Sequence, residues 1–454
     1  MKIIKQSIVF NSNLEYFTGY IQHIINISNV EASVSFSDGV ITLLINSEDE
    51  HANLFSNNLS KYLPNSIYLG HIQTEVITEN KIKKSDLKSP TYPTLSLCRS
   101  CLESSIYEDS ICTHYQNEAK LYVDDVRYCE TYNDGDAILI NDTSMINTYF
   151  NMTKKEQELL FSIEKPVLKV TIRDEELMAK TGKKFIYLKA PSSANSYLTT
   201  KASDKPYLFF KPVEELKVIN VNDSISIIED HELSGRLEDL SEDSVINRFL
   251  NIKKEYALQK GAIGLYANTN NIAFVANTPA KTGIVFGFKP FNAVATIETL
   301  KANRSKVFEN FMKEYGEIKS DEIEGMNLFE LSALLLGLLP TYEELNDKSL
   351  EFRGNGGVKI DMKYQNDSFD YLSFIGSIMS FRLAGTPTHH LAYSIFESLA
   401  DFLVIVYHES KAKIKEDDFI IFGNLFSNNV LYSRVLSKLS VKKPYFSKMY
   451  ALDE

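Results

Sequence analysis

The sequence predicts a multidomain chain of the α/β and α+β classes, and three observations carry that expectation. Its 454 residues exceed what one ordinary core organises and point to two to four domains. Hydrophobic content of 44% and charged content of 24% are globular values. Strand-like alternation and helical spacing of apolar residues follow one another along the chain with no repeat of fixed period, which excludes a solenoid.

Residues 1–80 resolve element by element. Lys2 to Phe10 alternates like a strand, and Leu14 to Ile25 places apolar residues at helical spacing. Ala32 to Phe36 and Val40 to Ile45 read as two strands around Ser37, Asp38 and Gly39, a hairpin with the glycine that tight turns favour. A helix over His51 to Tyr62 and a strand over Ser66 to Thr74 complete β-α-β-β-α-β, a ferredoxin-like split βαβ sandwich.

A linker rich in Lys, Ser and Pro, Asn80 to Pro93, leads to a cysteine-bearing segment over 94–132. Short strands mixed with loops are expected over Ala119 to Val218, including the turn-prone run Asn133-Asp134-Gly135-Asp136. From Asp239 to the end of the sequence, longer helices alternate with strands. The helical candidates are Ser244 to Gln259, Ala293 to Tyr315, Gly325 to Leu338, Tyr371 to Leu383, His389 to His408 and Val430 to Leu439.

The net charge of −12, with Lys and Arg dispersed, argues against a nucleic-acid partner. No apolar run reaches the ~18 residues of a membrane span. The first eleven residues lack the apolar core and cleavage site of a secretory signal, so the expected location is the cytoplasm. All four cysteines fall between 98 and 129, which does not resemble a disulfide framework.

Those cysteines form the strongest chemical feature. Cys98-Arg99-Ser100-Cys101 can present two thiolates to one tetrahedral ion, Cys112 can supply a third donor, and Cys129 or His114 the fourth. One structural zinc is the expectation. Unligated buried thiols are the alternative, since cysteine packs well as a small hydrophobe, and a redox pair is a further one.

Other constellations carry less. Gly356, Gly357 and Lys359, in the run from Gly354, are candidates for a phosphate-cradling turn, but the spacing is not that of a Walker loop and a plain connecting loop is the better reading. His389, His390, Glu397 and Asp401 lie at helical spacing, where packing is favoured over metal binding, with Thr388 suited to an N-cap. Asp124-Asp125 and Glu175-Glu176 read as solvated faces. No catalytic residue is assigned, since no serine has a positioned base and no nucleophile elbow is present.

Leu97-Cys98-Arg99-Ser100-Cys101-Leu102-Glu103 and Ile111-Cys112-Thr113-His114-Tyr115 resemble the first zinc-finger module of the HypF-type carbamoyltransferases, which mature nickel–iron hydrogenases. Glu158 to Leu168 resembles the approach to an Arg-Pro-Ile-Val strand of that family, with Lys165 in place of arginine. Ile420 to Asn429 resembles its Ser-Gly-Gly-Val-Phe-Gln-Asn loop, which makes Gly423 a further nucleotide-loop candidate, and His389 to Val406 resembles the helix before that loop. The resemblance implies four units: an acylphosphatase-like domain over 1–80, a zinc-finger-like segment over 94–132, a degenerate YrdC-like domain over 133–238, and a truncated Kae/TsaD-like domain of the actin and sugar-kinase superfold over 239–454.

The departures imply loss of chemistry. The loop expected to grip an acyl phosphate, Asn11-Ser12-Asn13-Leu14-Glu15-Tyr16, has no arginine and carries a carboxylate. The His-rich metal motif and the Asp-Gly-Thr-Gly phosphate loop are missing after Asp239, and Asn424 adds a side chain where backbone must approach phosphate closely. Bound nucleotide is therefore doubtful and carbamoyl transfer is expected to be lost. The implied function is that of a non-catalytic accessory factor binding a hydrogenase subunit or maturation protein. A reduced carbamoyl- or nucleotide-handling enzyme is the alternative, and metal storage or delivery through the cysteines a third possibility.

Overall fold

The computed structural model describes residues 2–78, 82–83, 85, 95–96, 98, 101, 112, 126–140, 143–221, 224–365, 368–414, 418–439 and 443–452. The first unit comprises β1 (Lys2–Phe10), a helix Tyr16–Ser28, β2 (Ala32–Ser37), β3 (Val40–Asn46), a helix Ala52–Tyr62 and β4 (Leu69–Thr78). Its antiparallel sheet has the order β2-β3-β1-β4, the split βαβ arrangement that the alternation predicts. Asp38 and Gly39 both take positive φ, 48° and 72°, the pair a two-residue hairpin of this hand needs. Phe17, Tyr20, Ile21 and Ile24 of the first helix share one core with Ile41, Leu43 and Ile45 of β3.

The middle unit contains β5 (Ala137–Ile140), β6 (Phe150–Asn151), β7 (Val167–Ile172), β8 (Phe185–Lys189), β9 (Tyr207–Phe210), β10 (Lys217–Val221) and β11 (Ser224–Ile227). The order is β11-β10-β7-β8-β5-β9, with β6 beside β7; β10/β7 and β5/β8 are parallel and the other pairs antiparallel. Four helices, Thr143–Tyr149, Lys154–Leu160, Glu175–Thr181 and Ala194–Ala202, interrupt what the sequence predicts to be strands and loops. Their signal is in the caps: Thr153, Asp174 and Ser193 each accept a hydrogen bond from the backbone N–H three residues on. Glu175 and Glu176 lie in the first turn after Asp174, where the helix dipole favours negative charge.

The last unit is built on β12 (Ala262–Ala267), β13 (Ile272–Asn277), β14 (Thr282–Gly287), β17 (Asp418–Phe422) and β18 (Tyr445–Phe446), ordered β14-β13-β12-β17-β18, with the small ribbon β15 (Tyr364–Gln365) and β16 (Ser368–Phe369) apart from it. The first three strands are antiparallel neighbours, whereas β12/β17 and β17/β18 are parallel. Helices Ser244–Glu255, Tyr371–Leu383 and Asn429–Lys438 lie where helical spacing predicts them. Three expectations are corrected. The run Ala293 to Tyr315 is two helices, broken at Arg304, whose guanidinium donates to Ser373 Oγ at 3.2 Å. Gly325 to Leu338 contracts to Leu328–Leu335, because Gly337 turns the chain at φ 73°. A further helix, Tyr342–Ser349, starts from a Thr341 cap.

The 27-residue helix Thr388–Ile414 runs through this unit's core beside Phe329, Ile375 and Phe419. Its stretch Thr388–Ala412 is long and apolar enough to cross a membrane, yet 72% of the apolar window is buried within the fold. Thr388 is the first residue of the helix and not its N-cap; its hydroxyl donates to Leu336 O at 3.4 Å.

The units are joined through buried polar contacts. Glu164, 3% exposed, lies just before β7 and accepts from Tyr16 Oη at 2.6 Å, Ser66 Oγ at 2.5 Å and Ile67 N–H at 3.1 Å, all from the first unit. Burial raises the Glu164 carboxyl above its ordinary range, and burial with the nearby Glu164 raises the Tyr16 phenol. On the other side, Lys169 of β7 pairs with Asp347 and Lys183 with Glu344.

Candidate functional site

Cys98, Cys101 and Cys112 are buried, and their sulfurs all lie within 4.8 Å of one another. Cys101 N–H points at Cys98 Sγ, 3.4 Å away, and Cys98 N–H at Cys112 Sγ, also 3.4 Å. Such amide donors favour sulfur as thiolate. Hydrogen bonding to Cys112 together with burial pushes the Cys98 thiol well above its usual range. A tetrahedral ion with ~2.3 Å metal–sulfur bonds needs sulfurs about 3.8 Å apart, so the three thiols fit one soft divalent ion that displaces their protons. Among the described residues no other group of such ligands is gathered this closely. The knuckle is tied to the middle unit by Ser96 N–H, which donates to Ile163 O at 3.1 Å beside Glu164.

The two proposed fourth ligands fare differently. His114 lies outside the described residues. Cys129 does not join the other three: it bridges to Phe209 of β9 by a pair of backbone hydrogen bonds, 2.9 and 2.8 Å, and its thiol donates to Thr131 O at 3.2 Å. Strand pairing, which sequence proximity does not reveal, takes it to the middle sheet.

Of the candidate phosphate loops, the one after Gly354 has donors taken from within. In the run after Gly354, Gly357 N–H donates to Glu397 Oε2 at 2.7 Å, Val358 N–H to Ser394 Oγ at 2.9 Å and Ile360 N–H to Ser398 Oγ at 3.1 Å, so three donors of the turn are spent on one face of the long helix. A Cβ at Gly357 would sit 2.5 Å from Ser394 Oγ, so glycine is required there by packing, whereas Gly356 faces open space. Glu397 also receives Arg434 at 3.3 Å, and Arg434 forks onto Asp401 at 2.7 and 2.9 Å. That pairing, with Lys438 and Lys359 nearby, holds the Asp401 carboxyl below its usual range. His390 stacks on Phe352 at 4.4 Å. The helical row His389, His390, Glu397 and Asp401 is thus a packing face. Gly423 has φ 106°, and a Cβ on it would lie 2.3 Å from Ala267 O, so its glycine is demanded by the crossing of β12.

The turn Asn11 to Tyr16 is likewise engaged. Asn13 donates to Arg236 O at 2.9 Å and accepts from Arg236 N–H at 3.2 Å, Tyr68 Oη reaches Leu233 O, and the segment joining the middle and last units is held against the first. Gly235 N–H of the same segment donates to Met449 O at 2.8 Å. Lys165, standing where arginine is expected, adopts φ 44° and turns its amine inward to Phe161 O at 3.0 Å. Burial brings that amine down to about 8. The sequence identifies these loops but not that Arg236 and Glu397 meet them, because both lie far away along the chain.

No protein-family model matches the chain. Protein HydE of Wolinella succinogenes is 25% identical over 254 residues, 50% of this chain, so the match spans less than half of that protein, 45% of its length. Two solved structures align with 99% of this chain and 96% of their own at 11% identity: full-length HypF in its phosphate- and nucleotide-bound form, TM-score 0.61, and T. kodakarensis HypF, TM-score 0.64. The chain therefore has the mixed α/β multidomain fold of full-length HypF and resembles HydE in sequence, the likeness that the Cys98-Arg99-Ser100-Cys101 knuckle and the order of its units suggest.

Proposed function

We propose that this chain is a non-catalytic accessory factor in nickel–iron hydrogenase maturation, binding a hydrogenase subunit or another maturation protein on a HypF-type scaffold. In this reading the first sheet is an acylphosphatase-like module, 94–132 a zinc-finger-like segment, the middle sheet a degenerate YrdC-like domain and the last unit a truncated Kae/TsaD-like domain, all working in the cytoplasm. The observation that carries the proposal is that Gly357 N–H donates to the chain's own Glu397, while the first unit's turn offers Glu15 and no arginine. A scaffold whose phosphate-type donors are satisfied internally keeps its surfaces as the working part.

Affinity purification of the tagged chain from cells making nickel–iron hydrogenase is the test. Recovery of a hydrogenase subunit or maturation protein is the expected result, and recovery of none overturns the proposal. Calorimetry with ATP, ADP and carbamoyl phosphate is expected to give no heat of binding; micromolar binding of any of them would replace the scaffold by a reduced nucleotide- or carbamoyl-handling enzyme. Cys98, Cys101 and Cys112 would hold one structural zinc with a fourth donor. Metal analysis should then find one zinc per chain in the parent and none in Cys98→Ser, whereas exchangeable nickel in the parent would favour metal delivery.

A further inference from the structure

β4 is a ten-residue edge strand whose only strand partner among the described residues is β1. Edges of this length are normally blunted by lysine, proline, a bulge or a covering segment, because an open row of N–H and C=O groups recruits other strands. Leu69 to Thr78 contains neither lysine nor proline, and the one irregularity of its pairing falls between Ile8 and Phe10, at the Leu69 end. The opposite edge of the same sheet is handled differently. There Val34 N–H of β2 is taken by Ser85 Oγ at 3.0 Å, and Ser85 is itself anchored to Gln22 at 2.6 Å.

The side chains of β4 suit a particular occupant. Ile72 and Val76 lie on one face, beside Ile8 and Ile4 of β1, and are 60% and 69% exposed. We propose that β4 pairs antiparallel with β4 of a second copy of the chain, about a two-fold axis through Thr74. That register sets Ile72 of each copy opposite Val76 of the other and gathers four exposed β-branched side chains into one covered patch. On the other face it sets Gln73 opposite Glu75, an amide donor against a carboxylate. Glu75 already receives Lys5 Nζ at 2.8 Å within its own chain, so two carboxylates meet without uncompensated repulsion. A strand of another protein could add to the same edge, but the pattern about Thr74 is self-complementary, which a second copy satisfies by symmetry. The inference does not depend on the proposed function.

Sedimentation of the full chain over a wide range of concentrations, in enough salt to screen its net charge of −12, is expected to show a monomer–dimer equilibrium. The double variant Ile72→Lys/Val76→Lys should be monomeric and should melt with the parent at concentrations low enough for the parent to be monomeric, since both side chains are exposed. Thr74→Cys should form a disulfide-linked dimer on mild oxidation, because directly opposed strand residues have Cα atoms about 4.5–5.5 Å apart. Thr78→Cys, which this register places opposite Gly70, should link no faster than the parent with its native cysteines. A monomer at every concentration, a dimer indifferent to the two lysines, or equal cross-linking at positions 74 and 78 overturns the proposal. So does protection of β4 from hydrogen exchange only when a different protein is added, which would assign the edge to that protein.

Discussion

Two carboxylates, Glu164 buried and Glu255 half-buried, show how single residues organise this chain. Glu164 answers three donors of the first unit at once, so Glu164→Ala strands two hydroxyls and a backbone N–H out of reach of water. At about 1–3 kcal/mol for each orphaned group, partly relieved by relaxation, roughly 3 kcal/mol of stability should be lost. Urea unfolding measures this, and Glu164→Gln, which keeps one acceptor, should cost less. Glu255 is held by Ser447 Oγ at 2.8 Å and Lys448 N–H at 3.0 Å, yet burial pushes its carboxyl up to about 7 from an ordinary 4.5. A folded-state value above the unfolded one means that stability from this group is fully present below about pH 4.5 and is lost as pH rises through about 7. Glu255→Gln removes that dependence. Its melting temperature relative to the parent should therefore climb between about pH 5 and about pH 8.

At the scale of elements, the loop over 354–360 and the helix Thr388–Ile414 are one structure, because the helix supplies the acceptors for the loop's amides. Glu397→Ala should free Gly357 N–H and leave Arg434 with Asp401 alone. Hydrogen exchange over 354–360 should accelerate several-fold, while β12 keeps its protection. Elements whose pattern is local were legible in the sequence: the opening β-α-β-β-α-β needs only alternation, helical spacing and the Asp38-Gly39 turn. Arg304 shows the limit, since at the break between its two helices its guanidinium reaches Ser373, which is distant in sequence. The helix Tyr342–Ser349 escaped because Tyr-Glu-Glu-Leu-Asn-Asp-Lys-Ser offers one apolar turn, and its Thr341 cap is the sole strong signal. In the site, the Cys-x-x-Cys turn and Cys112 were legible from spacing, whereas the departure of Cys129 to β9 is a tertiary event.

For the whole molecule, the middle and last units are held by ion pairs at low exposure. Lys169 is 10% exposed and Asp347 24%, and burial and Asp347 act in opposite directions on the lysine, whose net shift is upward. Removing one partner leaves the other charge uncompensated, so Lys169→Ala should cost about 2–3 kcal/mol, less than a fully buried pair would. Calorimetry should show the coupled transition of the parent resolving into two. The segment around Gly235 has the opposite character: it is held by uncharged hydrogen bonds, and it is clasped from both directions in sequence. Asn13 and Tyr68 reach it from one side and Met449 from the other, while Leu452 N–H donates to Ile227 O and Ala451 O accepts from Arg248. A ribosome making this chain would therefore expose the edge of β11 and the stretch after it long before their final partners emerge. The outer edge of the middle sheet is thus closed by residues some two hundred positions later in the chain.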